Sequence, residues 1–128
     1  PEERAVEIVA RQGFGEPKDY GPKAPTTLKA LAKILSDDRK RGFSMINEMY
    51  APGMTAMAAP VQPKGEAAIG VITIAGPAVR LSEARMLALG AELKAAATEL
   101  AVASAASPMF ARPPAVQRPA RSAAGARA

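Results

Sequence analysis

Between Phe43 and Pro77 the apolar residues recur at the two-residue spacing of strands, while on either side, over 1–12, 28–41 and 82–103, they recur every three or four residues as in helices. This switch of period restricts the fold more than any other feature. A block of strands flanked by helices predicts an α+β domain, an antiparallel sheet with helices on its faces. Ala5, Ile8 and Val9 place a first helix over 1–12, stopped by Gly13 and Gly15. Residues 14–25 show no period and form an irregular connection. Thr26 or Thr27 offers an N-cap for a second helix, in which Leu28, Leu31, Ile34 and Leu35 lie opposite Lys29, Lys33, Asp37 and Lys40, with Gly42 as its end.

The strand block divides into 43–46, 54–61 and 67–75. The linker Gln62-Pro63-Lys64-Gly65-Glu66 predicts an antiparallel hairpin between the last two. The run 67–75 is apolar on both faces except at Thr73, so a strand covered on both sides is expected. Gly76-Pro77 stops it, and Ser82 caps a final helix with Met86, Leu89, Leu93, Ala97 and Leu100 along one face. From about Ser104 only Ala, Pro, Arg and Ser dominate, which predicts a disordered tail over 104–128 and a folded domain over 1–103. Three strands make a thin sheet, so the domain is expected to be incomplete at its N-terminus.

Composition narrows the function. Cys and His are both absent, which removes disulfides, thiolate zinc sites and the Ser-His and Cys-His nucleophile pairs. The reading is of a protein that is not an enzyme and holds no cofactor or metal. With aromatics at 4% and no Trp, the core must be built from Ala, Leu, Ile, Val and Met. No apolar stretch approaches the roughly 20 residues that span a bilayer, and Glu2-Glu3 is unlike a signal peptide, so a soluble cytoplasmic protein without membrane contact is expected. The net charge is +5, but Arg112, Arg118, Arg121 and Arg127 supply most of it, leaving the folded part nearly neutral. Those four arginines, without aromatics, fit a solvated tail better than a nucleic-acid surface.

The stretch 41–61, from Arg41-Gly42-Phe43 through Gly53 to Ala58-Ala59-Pro60-Val61, resembles the signature of the IclR effector domain: a helix ending in Arg-Gly-aromatic, acidic residues, a Gly, then a strand closing on Ala-Ala-Pro-Val. Ile72-Thr73-Ile74-Ala75-Gly76-Pro77 and Arg80-Leu81 continue the match, as does Pro1-Glu2-Glu3-Arg4 at the start, so the resemblance covers about 1–103. It implies a GAF-like sensing domain that binds a small organic acid beside the sheet and pairs into homodimers or homotetramers. Ligand would then alter how attached winged helix-turn-helix domains engage operator DNA. No such DNA-binding domain is expected within this chain.

The resemblance also marks Ile46, Met54, Ala56, Thr73 and Ala75 as the ligand-contacting positions. Relatives that take small keto acids carry Asp, Cys and Ser where this sequence has Ile46, Ala56 and Ala75. The site keeps one hydroxyl, Thr73, among apolar groups, which implies a larger, more apolar effector such as an aromatic or aliphatic acid. Plainer roles fit the same residues. Thr73 suits a core threonine, Met45, Met49, Met54 and Met57 suit core filling, Asn47 and Glu48 a solvated loop, Gly53 and Gly70 backbone shape or close packing. Asp37-Asp38 read as solubility charges. Two other functions stay open, an oligomerisation module without a working pocket and, with least support, a small α+β enzyme.

Overall fold

The computed structural model describes residues 2–107, and expectations about the tail beyond Ser107 lie outside the described residues. In chain order they form α1 (Glu2–Gln12), a 3-10 turn (Pro17–Asp19), α2 (Leu28–Arg41), β1 (Ser44–Asn47), β2 (Met54–Val61), β3 (Gly70–Pro77) and α3 (Glu83–Ala105). The α+β architecture is as the period switch predicts. Local chemistry sets the helix ends. Thr27, rather than Thr26, caps α2 by accepting from the Ala30 amide at 3.2 Å, and Gly42 closes it in the left-handed region at φ 81°, returning its amide to the Asp38 carbonyl. Ser82 caps α3 by accepting from the Arg85 amide at 3.3 Å.

The sheet is antiparallel throughout, in the order β1-β2-β3. Ile46 lies opposite Ala56, and Ala56 opposite Ala75. Because strand side chains alternate, Met45, Thr55, Met57, Ala59 and Val61 point to one face, and all five are buried. α3 covers that face with Met86, Gly90, Leu93, Ala97, Ala101 and Ser104, a stripe at helical spacing. Phe43 and Leu81 complete the core. Small residues let the helix approach closely: a Cβ on Gly90 would stand 2.4 Å from the Phe43 ring. Arg41 sits over that ring at 5.4 Å and Lys94 at 6.0 Å, and the Lys94 ammonium also donates to the Arg41 carbonyl at 3.3 Å. Buried Thr55 donates its hydroxyl to the Leu81 carbonyl at 2.8 Å, tying β2 to the start of α3. Among the described residues no buried side-chain polar atom lacks a partner.

The structure corrects several expectations. Leu100 is 46% exposed; the helix turns it away and Ala101, one position later, takes the core place. β1 and β3 are each displaced toward the C-terminus: β1 begins after Phe43, whose ring drops into the core, and β3 runs 70–77 rather than 67–75. The expected covering of β3 on both sides is not found. β3 is the sheet edge, α3 lies mainly over β2, and Val71 is 67% exposed and Ile74 37%. Gly70 has open space where a Cβ would sit, so close packing does not explain it, whereas Gly53 serves backbone shape at φ 71°. α2 buries none of its residues and packs against β1, with α1 resting on α2.

Candidate ligand-binding face

The five positions marked in the sequence lie on one surface. Alternation puts Ile46, Met54, Ala56, Thr73 and Ala75 on the face of the sheet opposite α3, and the cross-strand register brings Ile46, Ala56 and Ala75 into a single row. Met54 pairs with Pro77 in the next row on one side, and Thr73 with Ala58 in the next row on the other. None of the five is buried: Ala56 is half-buried, and the other four are exposed. Thr73 is therefore a hydroxyl on an open surface and not a core threonine.

Among the described residues, one concavity borders this face and another opens beyond the β1 edge. The apolar one, about 420 Å³, lies where the C-terminal half of α2 overhangs the same face, between Leu35 and the residues Ser44, Ala58, Pro60 and Val71. Thr73 lies directly across from Ala58 in the register, which places its row at the border of this cavity. The five marked residues do not themselves line it. Ser44, Ala58, Pro60 and Val71 were missed in the sequence because the matched motif marks other positions. The alternation 54, 56, 58, 60 already carried the signal that Ala58 and Pro60 share their face.

The second concavity, about 240 Å³, opens on the other side of β1 between α2, the start of α3 and the β1–β2 turn. It is charged, with Lys23, Asp37, Asp38, Arg41 and Glu83 around Ile34, Met45 and Met49. Asp37 is paired with Lys33 at 2.7 Å on the exposed surface of α2, in keeping with a surface charge, while the less exposed Asp38 is held by Arg41. The Lys33 hydrogen bond holds the Asp37 carboxyl below its ordinary pKa. The Asn47 amide reaches Glu83 at 3.5 Å.

The turn between β1 and β2 is more ordered than a solvated loop. Glu48 adopts φ 50°, a conformation uncommon for a residue with a side chain. Its carboxylate receives the Gly53 amide at 3.0 Å and pairs with Lys23 at 3.0 Å. The Lys23 hydrogen bond, and after it the Gly53 amide, hold the Glu48 carboxyl below the usual glutamate range. No group of three or more metal-ligating side chains occurs among the described residues, and no helix there is long and apolar enough to cross a membrane.

Comparison with known proteins agrees with this architecture. The family model described as bacterial transcriptional regulator IclR C-terminal matches residues 15–112. The HTH-type transcriptional regulator BhcR of Paracoccus denitrificans is 43% identical over 72 residues, covering 56% of this chain and 25% of the relative. The HTH-type transcriptional repressor AllR of Salmonella typhimurium is 28% identical over 102 residues, covering 80% of this chain and 36% of the relative. The chain thus spans between a quarter and about a third of the length of these curated relatives. Among solved structures, the C-terminal domain of E. coli KdgR superposes with a TM-score of 0.66 at 24% identity, covering 80% of this chain and 60% of that one. The inducer-binding domain of Acinetobacter PobR, a double mutant in complex with 3-hydroxybenzoic acid, gives 0.68 at 19% identity, covering 79% and 57%. At these identities the two structures share the fold. Over three-quarters of its length, the chain carries the C-terminal domain of the IclR regulators, and it belongs to that family of bacterial transcriptional regulators.

Proposed function

We propose that this domain senses a small organic acid on the open face of its sheet and controls transcription in the cytoplasm as part of a longer DNA-binding regulator. The observation that carries the proposal is the gathering of Ile46, Ala56 and Ala75 in one uncovered row, with Met54 and Thr73 in the rows beside it. A largely apolar surface with one hydroxyl and an adjoining apolar cavity suits an aromatic or aliphatic acid, held by its hydrocarbon part and oriented by a few polar groups. An aromatic acid bound to the PobR inducer-binding domain is in keeping with that class. The mechanism is a population shift. Effector favours one arrangement of subunits and operator DNA another, so each weakens or strengthens the other's binding through a shared equilibrium.

The exposed apolar edge β3 accepts a further strand or a partner in this reading, since unpaired, apolar strand edges are readily extended. Assembly is a second role with its own support. The open β3 edge gives it a pairing surface for a homodimer or homotetramer, whereas the exposed Leu87, Leu100 and Val102 of α3 are spread around the helix and form no single patch. A thermal melt of the chain, alone and with aromatic, dicarboxylic and keto acids, tests sensing. Binding to the folded state alone adds about 2.7 kcal/mol at a hundredfold excess over Kd, a shift of several degrees for a domain this size. Stabilisation by aromatic or aliphatic acids and not by small keto acids is the expected result. A cooperative melt that no acid moves would leave assembly as the domain's role.

A further inference from the structure

Residues 16–25, between α1 and α2, have little secondary structure of their own beyond one 3-10 turn, yet they are held at defined points. Gly13 and Gly15 precede them in the left-handed region at φ 71° and 73°, conformations that favour glycine, and a Cβ on Gly15 would stand 2.5 Å from the Tyr20 ring. Its other end lies on the β1–β2 turn. The Gly21 amide donates to the Met49 carbonyl at 3.0 Å, and the Lys23 amide to the Glu48 carbonyl at 3.2 Å. Gly21 is buried there so tightly that a Cβ would stand 2.0 Å from the Glu48 carbonyl oxygen. The Lys23 ammonium also donates to the Asn47 side-chain carbonyl at 3.2 Å and pairs with the Glu48 carboxylate.

Glu48 therefore serves both partners at once. One carboxylate oxygen takes the Gly53 amide and closes the turn, while the other holds Lys23 and closes the segment onto it. It does so with its backbone at φ 50°, a conformation uncommon for a residue with a side chain. The turn is in turn fixed to the sheet's far edge, where the Ala78 amide donates to the Gly53 carbonyl at 2.7 Å. Ile46 lies two residues before Glu48 on β1.

We infer that residues 16–25 are a strap locked onto the β1–β2 turn by Glu48, and that strap and turn loosen together, linking the rim of the open sheet face to the segment that leads back to α1. The regulatory meaning of the strap rests on the open face being the ligand face. The lock itself does not. Effector contact at Ile46 moves the turn, Glu48 carries that movement to the strap, and the strap carries it toward α1.

Amide hydrogen exchange on the full chain and on the Glu48→Gln and Lys23→Met variants tests the lock without any ligand. Glu48→Gln keeps the shape of the side chain and removes its charge. In this variant, exchange at the Gly21 and Lys23 amides is expected to rise roughly tenfold, with amides around Leu93 in α3 unchanged. Lys23→Met is expected to loosen the Gly53 amide as well, an effect across the lock that local packing of the strap would not give. Unchanged exchange at Gly21 and Lys23 in both variants, or an equal rise throughout the domain, would overturn the inference. A failure to bind any acid on the open face leaves these exchange rates where they are, so the two readings fail separately.

Discussion

The two faces of the sheet are built from alternate residues of the same three strands. One carries Met45, Thr55, Met57, Ala59 and Val61, all buried beneath α3; the other carries Ile46, Met54, Ala56, Thr73 and Ala75, none of them buried. Both sets are mostly apolar, so hydrophobicity alone does not separate them. The closed face is matched to a helix of small residues and contributes stability through contact. The open face presents similar chemistry, overhung by α2 only where Leu35 faces Ser44, Ala58 and Pro60, and its row of Ile46, Ala56 and Ala75 is left accessible, as a ligand surface requires.

Substitutions should separate the faces most sharply at methionine. Met57 is 1% exposed and Met54 43%. Met57→Ala is expected to cost about 2–5 kcal/mol in urea unfolding, while Met54→Ala stays within about 0.5 kcal/mol. Equal costs would mean that the open face is as tightly packed as the closed one. Gly90→Ala tests how close α3 must come. The added methyl would crowd the Phe43 ring, and a net loss of about 1–3 kcal/mol is expected despite alanine's better helix propensity. A stabilised variant would show that the ring has room to move. Thr55→Val keeps the shape and leaves the Leu81 carbonyl without its hydroxyl donor; a loss of about 1–2 kcal/mol, read from the same unfolding curves, is expected.

The smallest effect belongs to the rim. The Glu48 carboxyl titrates below its ordinary value because of Lys23 and the Gly53 amide. A carboxyl lowered in the folded state contributes stability above the unfolded glutamate pKa and loses it as pH falls through the lowered value. Melting temperatures followed from about pH 6 to pH 3 should therefore fall less steeply in Glu48→Gln than in the parent chain. Parallel slopes would mean that Glu48 is not engaged in solution.

How far the sequence revealed these faces follows from what period and motif encode. The caps at Ser82 and Gly42, the hairpin and the order of elements were legible, because each rests on residues adjacent in the chain. The exposure of β3 was not: an apolar run looks the same whether or not anything lies over it, and cover is a property of the neighbours. The stripe through Met86, Leu93 and Ala97 was legible, but helical spacing admits either i+3 or i+4 after Ala97, and the core takes Ala101 at i+4 while Leu100 at i+3 turns outward. The five site positions came from the family's pattern, and the cross-strand register is what brings them together. Glu48 and Gly21, 27 residues apart in sequence, gave no local signal of their contact.

The methionines are placed to decide the central claim, since Met54 stands on the open face while Met57 and Met86 lie in the closed core. With methyl-labelled methionine, titration with 3-hydroxybenzoate and aliphatic acids is expected to shift the Met54 methyl resonance while those of Met57 and Met86 hold still. Shifts at Met57 and Met86 with Met54 unmoved, or no methyl shift with any acid in a chain that melts cooperatively, would contradict it.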